Sequence, residues 1–163
     1  MAEDTTAPTP TPSRPQVPGY GIPASVEGTL PWEHVSARLA GGRIYWVATA
    51  RPDGRPHAVP IWGVWVEDVL YFGGGPETGW SRTLAKNPQV SVHLESGEDV
   101  VIVEGTVGRI TDPADPRATP LDDAYEAKYH TRHGVPFWVL QPRVAFAWTS
   151  FPDDATRWTF ATG

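Results

Sequence analysis

A chain of 163 residues, 40% apolar and 20% charged, has the length and composition of one globular domain with a real hydrophobic core. Its formal charge of −6 argues against nucleic acid as a partner, because that affinity rests on neutralising phosphates with Lys and Arg. No apolar run is long enough to cross a bilayer, and the absence of cysteine excludes disulfides, thiolate catalysis and Cys-based zinc or iron–sulfur sites. A cytoplasmic protein with no membrane partner is the expectation.

Residues 1–28 carry Pro8, Pro10, Pro12, Pro15, Pro18 and Pro23 among Thr, Ser and Gly, without the basic start and apolar block of a secretory signal. Proline has no amide donor and favours extended backbone, which predicts a flexible, disordered arm followed by one domain over 29–163. Trp32, Val35 and Leu39 have helical spacing, ended by Gly41-Gly42. Ile44 to Ala50 reads as a strand and Pro52-Asp53-Gly54 as a turn. His57 to Val66 reads as a second strand, apolar on both faces and therefore buried on both sides. Within it, Pro60 implies a bulge or an unpaired position, and Trp62 and Trp65 face opposite sides.

Glu67-Asp68 turns the chain into a third strand, Val69 to Phe72, and Gly73-Gly74-Gly75-Pro76 leads into a short helix from Thr78 to Asn87. Gln89 to Leu94 and Val100 to Ile110 alternate as strands. Asp112 to Pro120 is a proline-broken loop, Leu121 to His130 a helix, and Phe137 to Trp148 and Arg157 to Phe160 the last strands. Roughly six or seven short strands with two or three helices predict a mainly β, closed antiparallel barrel.

The glycine-rich loop opening a helix offers free amides and a positive dipole end, suited to phosphate; the bland reading is a plain strand-to-helix connection. Gly74, Gly79 and Ser81 match P-loop spacing, but Trp80 stands where that motif needs lysine, which rejects a nucleoside-triphosphatase. No GxGxxG fingerprint supports a dinucleotide fold. His130 and His133 lack the third ligand that catalytic zinc wants, His93 falls on the polar face of its strand, and no nucleophile elbow supports a Ser-His-Asp triad. His57 begins the second strand, where it can reach a bound ligand. Trp62 or Trp65 can wall a planar cofactor or a dimer interface, and the sequence leaves both open.

Tyr45-Trp46-Val47-Ala48-Thr49 followed by Arg51-Pro52-Asp53-Gly54-Arg55-Pro56 resembles the start of the pyridoxamine-phosphate-oxidase-like proteins, also called flavin/deazaflavin oxidoreductases. The resemblance continues through Val59-Pro60-Ile61-Trp62, Leu70-Tyr71-Phe72, Leu84-Ala85-Lys86-Asn87-Pro88, Val90-Ser91-Val92 and Val103-Glu104-Gly105, and resumes at Arg157-Trp158-Thr159-Phe160. It implies a split β-barrel homodimer with two cofactor sites in clefts between the subunits. His57, Val59, Pro60, Ile61 and Trp62 would run beside the cofactor, with Phe72 and Gly73 also in contact. Thr78, Gly79, Trp80, Ser81 and Arg82 would hold its phosphate.

Relatives carry a hydroxyl residue and then two basic residues at Thr78, Gly79 and Trp80; this chain keeps Thr78 and has lost both bases. A basic pair would give phosphate charge-assisted hydrogen bonds. Arg82 and Lys86 on the same helix are the replacements on offer, with Ser81 and the loop amides, and Arg55 and Arg157 suit the acidic tail of a deazaflavin. Arg157 and Trp158 would close the cleft from the partner.

The leading reading is hydride transfer between an F-420-type deazaflavin, or FMN in its place, and a small organic substrate. No residue stands out as a general acid, and His57, whose imidazole can donate near neutral pH, is the nominee beside water as the proton source. Pyridoxamine phosphate oxidation itself is not expected, because bases for a second phosphate-bearing ligand are not apparent. The rival class is a non-catalytic protein that binds or stores a flavin, deazaflavin or haem.

Overall fold

The computed structural model describes residues 9–161. In chain order these form β1 (Thr11–Ser13), α1 (Trp32–Gly41), β2 (Tyr45–Ala50), β3 (Pro56–Ile61), β4 (Gly63–Val66), β5 (Val69–Gly73), α2 (Gly79–Lys86), β6 (Gln89–His93), β7 (Val100–Ile110), α3 (Ala118–Tyr129), β8 (Phe137–Trp148) and β9 (Thr156–Thr159). The main sheet path runs β1-β9-β8-β7-β6-β2-β3, and the β4–β5 hairpin joins it through β5 against β8. Every pairing is antiparallel. The mainly β, antiparallel expectation therefore holds. Among the described residues, no helix is long and apolar enough to cross a membrane.

Closure does not follow. Among the described residues β3 ends the path and pairs only with β2, so the sheet is open rather than a closed barrel. The single strand predicted over His57–Val66 breaks at Trp62, and Gly63 starts a separate strand that pairs with β5 instead of carrying the sheet round. β3 is not buried on both sides either: its residues are exposed or half-buried until Ile61. Pro60 lacks the N–H a central ladder requires, and an edge strand tolerates that.

β8 explains the split from the other side. One of its edges bonds to β7 along its length, while the other is shared, Phe137–Val139 with β5 and Val144–Ala147 with β9. Pro142 lies between these sets, and the register to β7 skips Arg143, a bulge that bends the strand. Gly105 sits opposite the bend, where a Cβ would come within 2.1 Å of the Gln141 carbonyl oxygen, so no side chain fits.

The core has two parts. The larger gathers Val47, Phe72, Leu84, Val92, Val103 and Trp158; the smaller lies beneath α3 around Leu121, Tyr125, Tyr129 and Phe137. α3 begins at Ala118 rather than at Leu121, because Pro120 falls in its first turn, where a missing N–H breaks no helical bond.

The expectation of a disordered arm is corrected from residue 9 onward; Pro8 and the residues before it lie outside those described. β1 extends the sheet against β9. Arg14, only 8% exposed, donates to the carbonyls of Glu27 (2.6 Å), Ser25 (2.7 Å), Asp153 (2.8 Å) and Ala155 (3.0 Å). A buried guanidinium must have its donors matched, and these carbonyls lock the proline-rich segment to the end of the sheet.

Candidate functional site

The candidate site is built around α2. Thr78 caps it in extended conformation, with its hydroxyl oxygen accepting from the Ser81 N–H at 3.4 Å. Asn87 ends it and ties it to the sheet, donating from Nδ2 to the Ala50 carbonyl at 3.0 Å. The helix end is thereby tied beside the β2–β3 turn, where Gly54 has φ of +86°, and one side of the helix from Gly79 to Lys86 faces that turn. A cleft of about 720 Å³ opens between them, lined by Arg51, Arg55, Gly79, Arg82, Thr83 and Lys86 among others.

Its charge is one-sided. Arg55 is held by Asp53 at 2.8 Å, but Arg51, Arg82 and Lys86 form no ion pair among the described residues. The Ser81 hydroxyl is buried without a hydrogen-bond partner, as is that of Thr49 on β2. Unmatched buried hydroxyls are uncommon. Cations that outnumber the one carboxylate of the cleft, Asp53, together with the first turn of a helix form a donor set that fits an anionic group such as a phosphate. The orphaned Ser81 hydroxyl is buried and does not line the cleft. Gly79 leaves open space where a Cβ would sit.

β3 divides the remaining sequence-predicted residues between two faces. His57, Val59 and Ile61 pair with Thr49, Val47 and Tyr45 and share their inner face. Pro60 points the other way, opposite Trp46, whose indole stacks on the His93 ring at 6.3 Å. Pro60 therefore does not share a wall with Val59.

Trp62 lies at the break after β3, 40% exposed, and stacks face to face on Tyr129 of α3 at 4.5 Å. Trp65 is not its alternate on one strand: it sits on β4 and donates from its indole to Ser36 at 3.1 Å. From Arg55 to Trp62 the chain is extended over about 23 Å, a span suited to an elongated ligand.

Trp80 and Trp158 are not available to a ligand. Trp80 packs into the core beside Phe72, with its ring so close over Gly74 that a Cβ there would lie 2.1 Å away. A basic side chain at this position would need solvent or a counter-ion, and the core offers neither. Trp158 is 1% exposed and meets Trp32 edge-on at 5.6 Å. Arg157 stands at the opposite end of the sheet path, with one guanidinium nitrogen on the Thr159 hydroxyl at 3.0 Å. Phe72 is fully buried, and Gly73 is covered by the His133 ring, which a Cβ would meet at 2.3 Å.

Sequence reasoning gave Arg51 no role, although it flanks the β2–β3 turn that faces α2 across the cleft. It also missed a cavity of about 760 Å³ at the β8 bend, walled by Trp32, Val139 and Phe160, with Tyr71 and Arg117 among its polar groups. None of the sequence-predicted site residues lines it.

The described residues define a mainly antiparallel β protein with a β4–β5 branch and three helices, its sheet open rather than closed into a barrel. Residues 31–162 match the family described as pyridoxamine 5'-phosphate oxidase, and the chain belongs to that family. No curated protein matches the sequence. Among solved structures, it resembles an F-420 reductase at 23% identity and TM-score 0.55, over 68% of this chain and 94% of that one. It also resembles a FAD-binding protein from Mesorhizobium loti at 21% identity and TM-score 0.58, over 81% and 96%. A haem-binding protein from Mycobacterium smegmatis aligns at 17% identity and TM-score 0.61, over 78% of this chain and 58% of that one. At these identities the likeness is one of fold.

Proposed function

We propose that this chain is an oxidoreductase that binds an F-420-type deazaflavin, or FMN in its place, and passes hydride between it and a small organic substrate. The observation that carries this reading is the cluster of Arg51, Arg82 and Lys86 lining one cleft, in no ion pair among the described residues of a chain of net charge −6. The bound cofactor supplies the redox chemistry at its ring. The α2 start holds its phosphate, with Arg51 and Arg82 replacing the lost basic pair from across the cleft and from further along the helix. Trp62 shields the ring end from water. His57 on the inner face of β3 is the proton donor, an imidazole suited to neutral pH. A homodimer completes the reading, because the outer edge of β3 is uncovered and unpaired edges favour association.

The alternative is a carrier that binds or stores a flavin, deazaflavin or haem without turnover. What favours it is the burial of Trp80 where relatives carry a base. Titrating the purified protein with FMN and with the deazaflavin, read by fluorescence, tests the binding, and turnover of an electron acceptor with reduced cofactor separates enzyme from carrier. Micromolar affinity for one cofactor with turnover is expected. Binding without turnover makes it a carrier, and binding of neither removes both flavin readings.

A further inference from the structure

We propose that Lys128 and Tyr129 are positioning residues for the cofactor ring, clamping the backbone N–H and C=O of Gly63 so that the indole of the preceding Trp62 stands as a fixed wall, with the charge on Lys128 coupling this wall to pH. The proposal rests on the reading of the cleft just given.

The clamp is made of two neighbouring side chains of α3. The Tyr129 hydroxyl accepts from the Gly63 N–H at 2.9 Å, and lies 2.7 Å from the Arg43 carbonyl and 2.8 Å from that of Gly63, to one of which it donates. Lys128 Nζ donates to the same Gly63 carbonyl at 2.8 Å and to the Tyr45 hydroxyl at 2.7 Å. Both polar groups of Gly63 are thus held by α3, immediately after the residue where β3 breaks. Gly63 is irreplaceable here, since a Cβ would come within 2.9 Å of the Tyr71 carbonyl oxygen. Trp62 rests on the ring of the same Tyr129, parallel to within 1°.

Lys128 has no carboxylate partner among the described residues. The groups that face it are Tyr45 of β2, Tyr129 of its own helix and the guanidinium of Arg43 from the α1–β2 connection. Both cations lie over the Tyr129 ring, Arg43 at 5.2 Å and Lys128 at 5.3 Å from its centre. Burial, and then the charge of Arg43, lower the amine to about 8. It is charged at pH 7 and mostly neutral at pH 9. A cation behind the wall favours an anionic or electron-rich ligand in front of it.

The test is titration of wild type, Lys128→Met, Lys128→Arg and Tyr129→Phe with FMN and with the deazaflavin at pH 7 and pH 9, alongside amide hydrogen exchange at Gly63. Wild-type affinity is expected to fall about three- to tenfold between the two pH values. Lys128→Met should bind at the weaker level at both, and Lys128→Arg at the stronger level at both, because arginine stays charged. Tyr129→Phe keeps the stack but frees the Gly63 amide, which should exchange at least about tenfold faster while affinity drops. If wild type binds and all three variants follow its affinity and pH profile, the clamp has no positioning role and the reading of the cleft survives. If wild type binds neither cofactor, that reading fails, and the role assigned to the clamp fails with it.

Discussion

The two ends of the sheet path are finished in opposite ways. At one end, β1 lies along β9 and Arg14 gives its donors to four backbone carbonyls, so a buried cation is consumed by structure. At the other, β3 pairs on one edge alone among the described residues, Trp62 stands exposed, and Arg51, Arg82 and Lys86 gather beside its turn in no ion pair among the described residues. Satisfied donors hold a fold together, whereas unsatisfied donors in a cleft are free for a ligand. The open end is therefore where function is sought.

The contrast breaks most sharply at Arg14. Arg14→Met leaves the four carbonyls without their shared donor and should destabilise the protein by about 3 kcal/mol in urea unfolding, while cofactor affinity stays unchanged. Equal stability would mean that the arm is not anchored as described. Next comes Gly74→Ala, whose Cβ would strike the Trp80 ring at 2.1 Å. About 1–3 kcal/mol of stability should be lost, and ligand affinity with it, because α2 is displaced. Retention of both would show that Trp80 is not seated on Gly74.

The smallest effect is in pH. Lys128 is lowered from 10.5 to about 8 in the folded chain, so below pH 8 both states are protonated and the burial cost is fully present. As pH rises from 8 towards 10.5 the folded state gives up its proton first, the cost is relieved, and stability rises. The half-exposed amine is screened by water, which limits the gain to about 1 kcal/mol. Tyr45, Tyr71, Tyr125 and Tyr129 are raised by burial and act with the opposite sign once unfolded tyrosines ionise near pH 10. Thermal unfolding should therefore peak between about pH 8 and 10, and the rising side should vanish in Lys128→Met.

Local pattern carried most of the fold. Alternation placed β6 and β7, and β8 and β9 lie where their apolar runs stand. The Thr78 and Asn87 caps bound α2 as their side-chain chemistry requires. What was not legible depends on contacts distant in sequence. Nothing near Arg14 announces that Glu27, Asp153 and Ala155 will meet it, so proline content alone suggested disorder. β3 was expected to be buried because its composition is apolar, but burial is decided by what covers a strand, and β3 is the last one.

The candidate site was half legible. Gly79 and Arg82, singled out from the loop and the family pattern, line the cleft beside α2, whereas Thr78 and Ser81 do not. Trp80 and Trp158 were assigned to the ligand although both belong to the core, since a motif position does not reveal which way its side chain turns. Arg51 was passed over because its partner in the cleft is a helix some thirty residues further on.

The central claim is that cations beside α2 replace the missing basic pair. Its most direct test is the affinity of Arg82→Ala for the phosphate-bearing cofactor, measured beside its melting temperature. Affinity should fall by about 1.5–3 kcal/mol, the worth of a charged hydrogen-bond donor, with the melting temperature unmoved. Unchanged affinity in a folded variant would contradict the account.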